Sequence, residues 1–565
     1  MTQFLSYRLR QLAAIFSLLM IATLGACSGG GSDSATSPLS GGDKLSEADA
    51  SRLVAQSSFG ATTTSVAAAQ SQGLNAYLDS QFAAPSSNYA GFPYVPPQPL
   101  PDCKNDGVPG SAASICARDN YSVFQVQRRF FQNALSGPDP LRQRVAFALG
   151  QIMVVSATEV NHAYGMAGYQ QLLLDRAFGN FRDLLFDVTL SPAMGRYLDM
   201  VNNDKPNPVK GTEPNENYAR ELLQLFSIGV YELNQDGTQK LDTNGKPKPS
   251  YDQDIIEGFA HVFTGWTYAP RPGQTMKIHN PLNYEGAMAV LASNHDNDAK
   301  ILLNDVVLPA GQTPEKDLND TIDNVFQHAN VGPFIGKQLI QHLVSANPSP
   351  AYVSRVAAAF NDNGTGVRGD LQAVVRAILT DSEARGDSKT ASDYGHLHEP
   401  ALYMVALLRA LNGSSDGVYL RNQSAAMDQA IFTAPSVFNF YPPDHVLPGD
   451  TILSPESAIL NSSTALNRAN FVNALLFSAN GIAADATVAG ATGTKIDLTD
   501  LQALAGNAEQ LVDELNRRLL HGTLSANARA AVLLAVNAVP ETDTLNRVRN
   551  AAYLVALTPS YQVEQ

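Results

Sequence analysis

The sequence predicts an all-α protein, a large multi-helix single body that carries a small hairpin and irregular insert. Three observations predict it. The pattern reads helical almost continuously from residue 46 to the end, with apolar residues at three- and four-residue spacing. The interruptions are short clusters of Gly, Pro and Ser. Apolar residues make up 44% of the 565 positions and charged ones 16%, against roughly 25% charged in an average soluble protein, so there is material for a large core.

The elements follow in order. Ser46-Glu47-Ala48-Asp49 opens a first helix over 46–58 in the manner of a capping box. Residues 64–83 give one or two short helices broken near Gly73, and 84–102 is Pro-rich and extended. The stretch 120–157 gives two helices split by residues 136–140, and 164–202 gives two more. A helix from Pro214 to Gly229 has proline in its first turn and glycine at its end. Asp236-Gly237 and Asn244-Gly245 mark a small hairpin or loop in 230–251. Asp252 to Thr264 is helical, and 267–312 is irregular with short strands around Ala299 to Leu308. About five helices follow between 315 and 411. Residues 412–454 are mixed, and 455–565 is helical again around a polar insert at 480–497, a candidate C-terminal lobe.

The N-terminus reads as an address. Arg8 and Arg10 precede an apolar run from Leu12 to Leu24, too short to span a bilayer and suited to a secretory signal over 1–26. Leu24-Gly25-Ala26-Cys27 resembles a bacterial lipobox, which implies cleavage before Cys27 and acylation of its thiol. Ser28, rather than Asp, implies sorting to the outer membrane, with the body at the periplasmic or cell-surface face. An ordinary signal peptide or a buried apolar helix is the alternative. Residues 27–45 form a Gly/Ser-rich tether, and the helical body occupies 46–565. The formal charge of −15 and the lack of a basic block argue against nucleic acid.

With Cys27 acylated, Cys103 and Cys116 are expected to pair in an oxidising compartment. Two free thiols or a metal pair are the alternatives.

Four polar groups are candidates for chemistry. Asn215-Glu216-Asn217-Tyr218-Ala219-Arg220-Glu221 opens a helix. There Asn217, Glu221 and Gln224 share one stripe, and Glu216 and Arg220 sit four apart. The plain alternative is a helix start decorated with acids that suit its dipole. His295, Asp296 and Lys300 offer imidazole, carboxylate and ammonium within six residues, suited to a metal, a general base or an anion clamp. The alternative is a polar loop closed by its own hydrogen bonds. Asp254, Glu257 and His261 lie on one helix face, with Glu257 and His261 at metal-sharing spacing; the alternative is the plain outer face of an amphipathic helix. His396 and His398 alternate and can chelate; the alternative is a helix start before Pro400 that Glu399 simply favours. Gly364–Gly369 spells a dinucleotide fingerprint but follows a helix instead of a strand, so it reads as a helix–helix connection. There is no G-x-S-x-G elbow, H-E-x-x-H or Walker loop.

Several segments fit together. Residues 177–185 (AFGNFRDLL) precede Ser191-Pro192-Ala193-Met194 and Tyr197-Leu198-Asp199. Then come Pro214-Asn215-Glu216-Asn217-Tyr218-Ala219-Arg220-Glu221, Phe263-Thr264-Gly265-Trp266, His295-Asp296 with Lys300, and the closing Leu557-Thr558-Pro559-Ser560-Tyr561. This order resembles the bacterial family catalogued as domain of unknown function 1800, from about residue 46 to the end. The resemblance implies an exported, mainly helical protein. It also implies a neighbour of sulfatase-like type, and one polar centre drawn from Asn215, Glu216, Asn217, Arg220, Glu221, Trp266, His295, Asp296 and Lys300. Many relatives carry Trp-His-Asn-His where this chain reads Arg144 to Gln151 without histidine.

Two functional readings follow. In one, the chain is a binding or assembly partner of a secreted sulfatase-like protein, and the polar centre fixes packing. In the other it is an envelope hydrolase. Glu221 or His295 is then the base, Arg220 and Lys300 hold an anion, and Asp296 orients His295. A divalent metal is an open cofactor there, with His295, Asp296, Glu216, His396 and His398 as candidate ligands. An open pocket with His295 in reach of Glu221 favours the enzyme, and a closed network favours the scaffold.

Overall fold

A computed structural model describes residues 44–564, apart from 387, 388, 390 and 392. Cys27 and the signal segment lie outside the described residues. Those residues form 23 α-helices joined by turns and by several long loops, and β-structure is limited to four two-stranded pairings and isolated bridges. The mainly helical class is therefore as expected. None of the described helices is long and apolar enough to cross a membrane.

Two apolar cores hold the helices together. The larger one collects apolar faces of the chain between Ala50 and Ala384, including the helices Pro140–Ile152, Phe181–Leu190, Asn217–Gln224, Gln253–Val262 and Pro314–Gln327. The second is built by Pro400–Ala410 and the helices after it, with Phe59, Phe130, Phe131 and Phe147 reaching in from the N-terminal half. The segment from 455 onward thus shares its core with earlier parts of the chain. Gly60 marks one crossing between the halves. Its φ is +122°, and a Cβ there would lie 2.5 Å from the Cα of Ala406. Only glycine allows that approach.

Local expectations fare variously. The helix expected over Pro214–Gly229 is shorter, Asn217–Gln224. Beyond it the chain winds wider, because the amides of Phe226 and Ile228 reach back to the carbonyls of Glu221 and Leu223. The insert at 230–251 does fold back twice, with bridges Leu233↔Gln239 and Leu241↔Pro247 around the two glycine turns. The glycine-rich 364–369 loop joins Pro350–Asn361 to Leu371–Thr380 and docks on residues 179–181 through Phe181 N–H to Gly369 carbonyl. Cys103 and Cys116 form a disulfide.

Candidate functional site

The Thr264-Gly265-Trp266 stretch ends the helix Gln253–Val262 and receives the 291–296 loop. Gly265 has φ +83°, and a Cβ there would fall 2.9 Å from the His295 nitrogen, so a side chain would push the loop away. The Trp266 strand then pairs with Val290.

This docking buries His295 completely. Its Nδ1 lies 2.9 Å from the Thr264 carbonyl oxygen and its Nε2 lies 3.1 Å from Oδ2 of Asp317. Lys300 donates to the same Oδ2 at 2.8 Å and to the carbonyls of Asp296 and Asp298 at 2.8 and 2.9 Å. That uses all three ammonium protons. Gln312 donates to the other oxygen of Asp317 at 2.7 Å. Burial would raise the Asp317 pKa, but the bonds from His295 and Lys300 outweigh it and hold the carboxyl below its usual range. Asp296 turns away from this triad. It bonds His261 Nδ1, takes the Asp298 amide, and is held at about 2 although burial opposes this.

The helix Asn217–Gln224 does not join that network. Arg220 pairs with Glu216 at 2.8 Å near the surface, and Gln253 donates to both Glu216 oxygens. The amide of Asn217 reaches Asp199, while the backbone of Asn215 is held by Asn203. Glu221 is buried, with one carboxylate oxygen lacking a hydrogen-bond partner. Burial pushes its pKa up, with Arg220 only partly opposing. Among the described residues no bond joins Glu221 to His295. The expected single centre is thus three: the buried His295–Lys300–Asp317 triad, the His261–Asp296 pair, and the surface Glu216–Arg220 pair. Asp317 was not legible as a partner, because an acid in the first turn of Pro314–Gln327 reads as a response to the helix dipole. Trp266 is buried against the core, with no hydrogen-bond partner for its indole N–H.

A second polar centre lies around the other histidines. His396 sits 3.3 Å from Oε1 of Glu456 and 3.2 Å from Oε2 of Glu564, all three buried. Burial opposes its charge, but the two carboxylates prevail and raise its pKa to about 10. His398 faces the Tyr561 carbonyl through Nδ1 and is driven by burial to about 4. Glu399 accepts from Gln151 at 3.2 Å and from Tyr441 at 2.7 Å. The stretch from Arg144 to Gln151 therefore lies against the His396 centre, beside a cavity of about 60 Å³ lined by Gln338, His342 and Glu456. One oxygen of Glu456 and the amide nitrogen of Gln338 have no partner there. A space of this size holds a few waters.

Metal binding finds no assembled ligand set. His295 spends both ring nitrogens on oxygen neighbours, His396 has two carboxylates at 3.3 and 3.2 Å but neither ring nitrogen in hydrogen-bond geometry, and Glu216 stands apart on the surface. Among the described residues no group of three or more His, Cys, Asp or Glu is arranged to hold a metal ion.

The family model described as Protein of unknown function (DUF1800) matches residues 52–563. The chain belongs to this family. No curated protein and no solved structure matches it. In this DUF1800 chain, Thr264 and Gly265 seat the loop that carries His295 on the end of one helix.

Proposed function

We propose that this DUF1800 chain is an exported lipoprotein, held at the outer membrane through acylated Cys27, that binds and assembles with a secreted sulfatase-like protein. One observation carries the reading. The His295–Lys300–Asp317 centre is closed, with each of the three side chains 3% exposed or less and its polar atoms paired within the protein. Such a centre fixes geometry and admits no substrate. What it fixes is the hairpin of Lys300–Ile301 with Val307–Leu308. Alternation along the strand turns Lys300 inward and Ile301 outward, and Ile301 and Val307 are 49% and 58% exposed. This gives the partner an apolar face on a braced support. Co-expression with affinity capture tests it. Ile301→Asp combined with Val307→Asp should lose the partner while leaving thermal melting unchanged. Undiminished capture would overturn the reading.

One observation favours a second reading, an envelope hydrolase. The His261 ring is 29% exposed, and its Nδ1 is held by buried Asp296. A carboxylate that orients an accessible imidazole is the arrangement of a general base. The base would then be His261, with Asp296 orienting it. Loss of turnover in His261→Asn without loss of folding would support this reading.

A further inference from the structure

We infer that the cavity between residues 90–93, the helix Ala112–Asn120 and the helix Phe124–Ser136 binds a sugar-sized anion, an oxyanion group carried on a hydroxyl-rich ring. The cavity measures about 420 Å³, and its lining includes Arg128, Arg129, Asn120, Gln125, Gln132 and Phe92. That volume lies in the range of small-molecule sites and far exceeds what a bare phosphate needs.

Charge decides the ligand class. Acidic side chains outnumber basic ones by 53 to 38 in this chain, yet two consecutive arginines meet here. Neither has an ion-pair partner among the described residues. One acid, Asp119, also lines the cavity, and it is paired with Arg118 at 2.7 Å. Arg128 is only 8% exposed; its guanidinium donates to Gln125 at 2.6 Å and to the Asp416 carbonyl at 3.3 Å, neutral acceptors both. Among the described residues no carboxylate stands within ion-pair distance of it; Asp416 and Asp119 attract it from farther off, but burial, costly for a charge without a direct partner, outweighs them and lowers its pKa. Arg129 gives one bond to the Asn88 carbonyl, at 3.3 Å. A carboxylate or sulfate in the cavity supplies a counter-charge at direct contact and accepts the forked donors of the two guanidinium groups.

The remaining lining suits hydroxyls. Amides of Asn120, Gln125 and Gln132 both donate and accept, and Phe92, packed against the core, adds apolar surface to the lining. The wall that carries Asn120 is fastened by the Cys103–Cys116 disulfide, and Asn120 itself donates to the Cys116 carbonyl at 3.0 Å. The site is therefore braced before a ligand arrives.

The test is calorimetric titration of the purified full-length chain with glucuronate, glucose 6-sulfate and glucose. At least one of the two anions should bind saturably and about tenfold or more tighter than glucose. Which of them binds identifies carboxylate or sulfate as the group recognised. Arg129→Gln, at a partly exposed position, should weaken that anion by about tenfold with an unchanged melting curve, and Arg128→Lys should weaken it while keeping the charge. No saturable binding of any probe, or glucose bound as tightly as the anions, would overturn the inference. So would an Arg129→Gln variant of unaltered affinity.

Discussion

Lys300 and Asp317 form a buried ion pair at 2.8 Å, with side chains 2% and 1% exposed, that ties the 300–308 hairpin to the helix Pro314–Gln327. Removing one partner of such a pair strands the other charge. Lys300→Met should therefore lower unfolding free energy by about 3–5 kcal/mol. The double variant with Asp317→Leu should recover part of the loss. Denaturant melts of the two single variants and the double variant measure the coupling, and a coupling near zero would show that the pair does not brace the hairpin.

Gly265→Ala should destabilise by about 1–3 kcal/mol through backbone strain alone. The added methyl meets the His295 backbone at 2.9 Å, which adds to the cost. Thermal melting checks it, and a melting temperature at or above that of the parent would contradict the tight seating of the loop.

Glu221→Gln should leave the protein as stable as before or more stable at pH 7. Burial raises this carboxyl's pKa, so its ionisation in the folded state opposes folding once the pH exceeds the unfolded value of 4.5. The stabilising effect should vanish near pH 4. Melts at pH 4 and pH 7 decide it, and a clear loss at pH 7 would mean that Glu221 supports the fold as an anion.

Stability should peak near neutral pH. His396 is raised from 6.5 to about 10, so its contribution is complete below 6.5 and is lost as pH climbs toward 10. His398 and His342 are lowered to about 4 and about 3, so protonation of the unfolded chain removes stability as pH falls from 6.5 toward those values. Glu564, depressed to about 2, keeps its contribution above 4.5 and loses it below. Urea midpoints from pH 4 to pH 10 test this. In His396→Gln the alkaline decline should flatten, and an alkaline limb as steep as in the parent would remove His396 as its source.

The helices were legible because their signals are local. Ser46 does cap the first helix, Asp252 caps Gln253–Val262, and the two turns of 230–251 fall on their glycines. The site was legible only in part. His295 and Lys300 were singled out and do meet, on Asp317, with Thr264 and Gly265 against His295. Their partner Asp317 comes from a helix whose acid looked ordinary, and no short-range pattern links it to His295. Glu221 shares a helix stripe with Asn217, but spacing on one helix says nothing of what packs opposite, which here is not His295. The Glu456–His396–Glu564 cluster joins three distant stretches, and the final strand Val563–Glu564 delivers its last member. Such a contact exists only in the fold.

Photo-crosslinking in intact cells from position 301 tests the central claim most directly. The account predicts one discrete adduct with a secreted sulfatase-like protein, lost when the probe stands instead at Leu534, an exposed position away from the hairpin. No adduct from 301 or 307, together with turnover by the purified chain that His261→Asn abolishes, would contradict it.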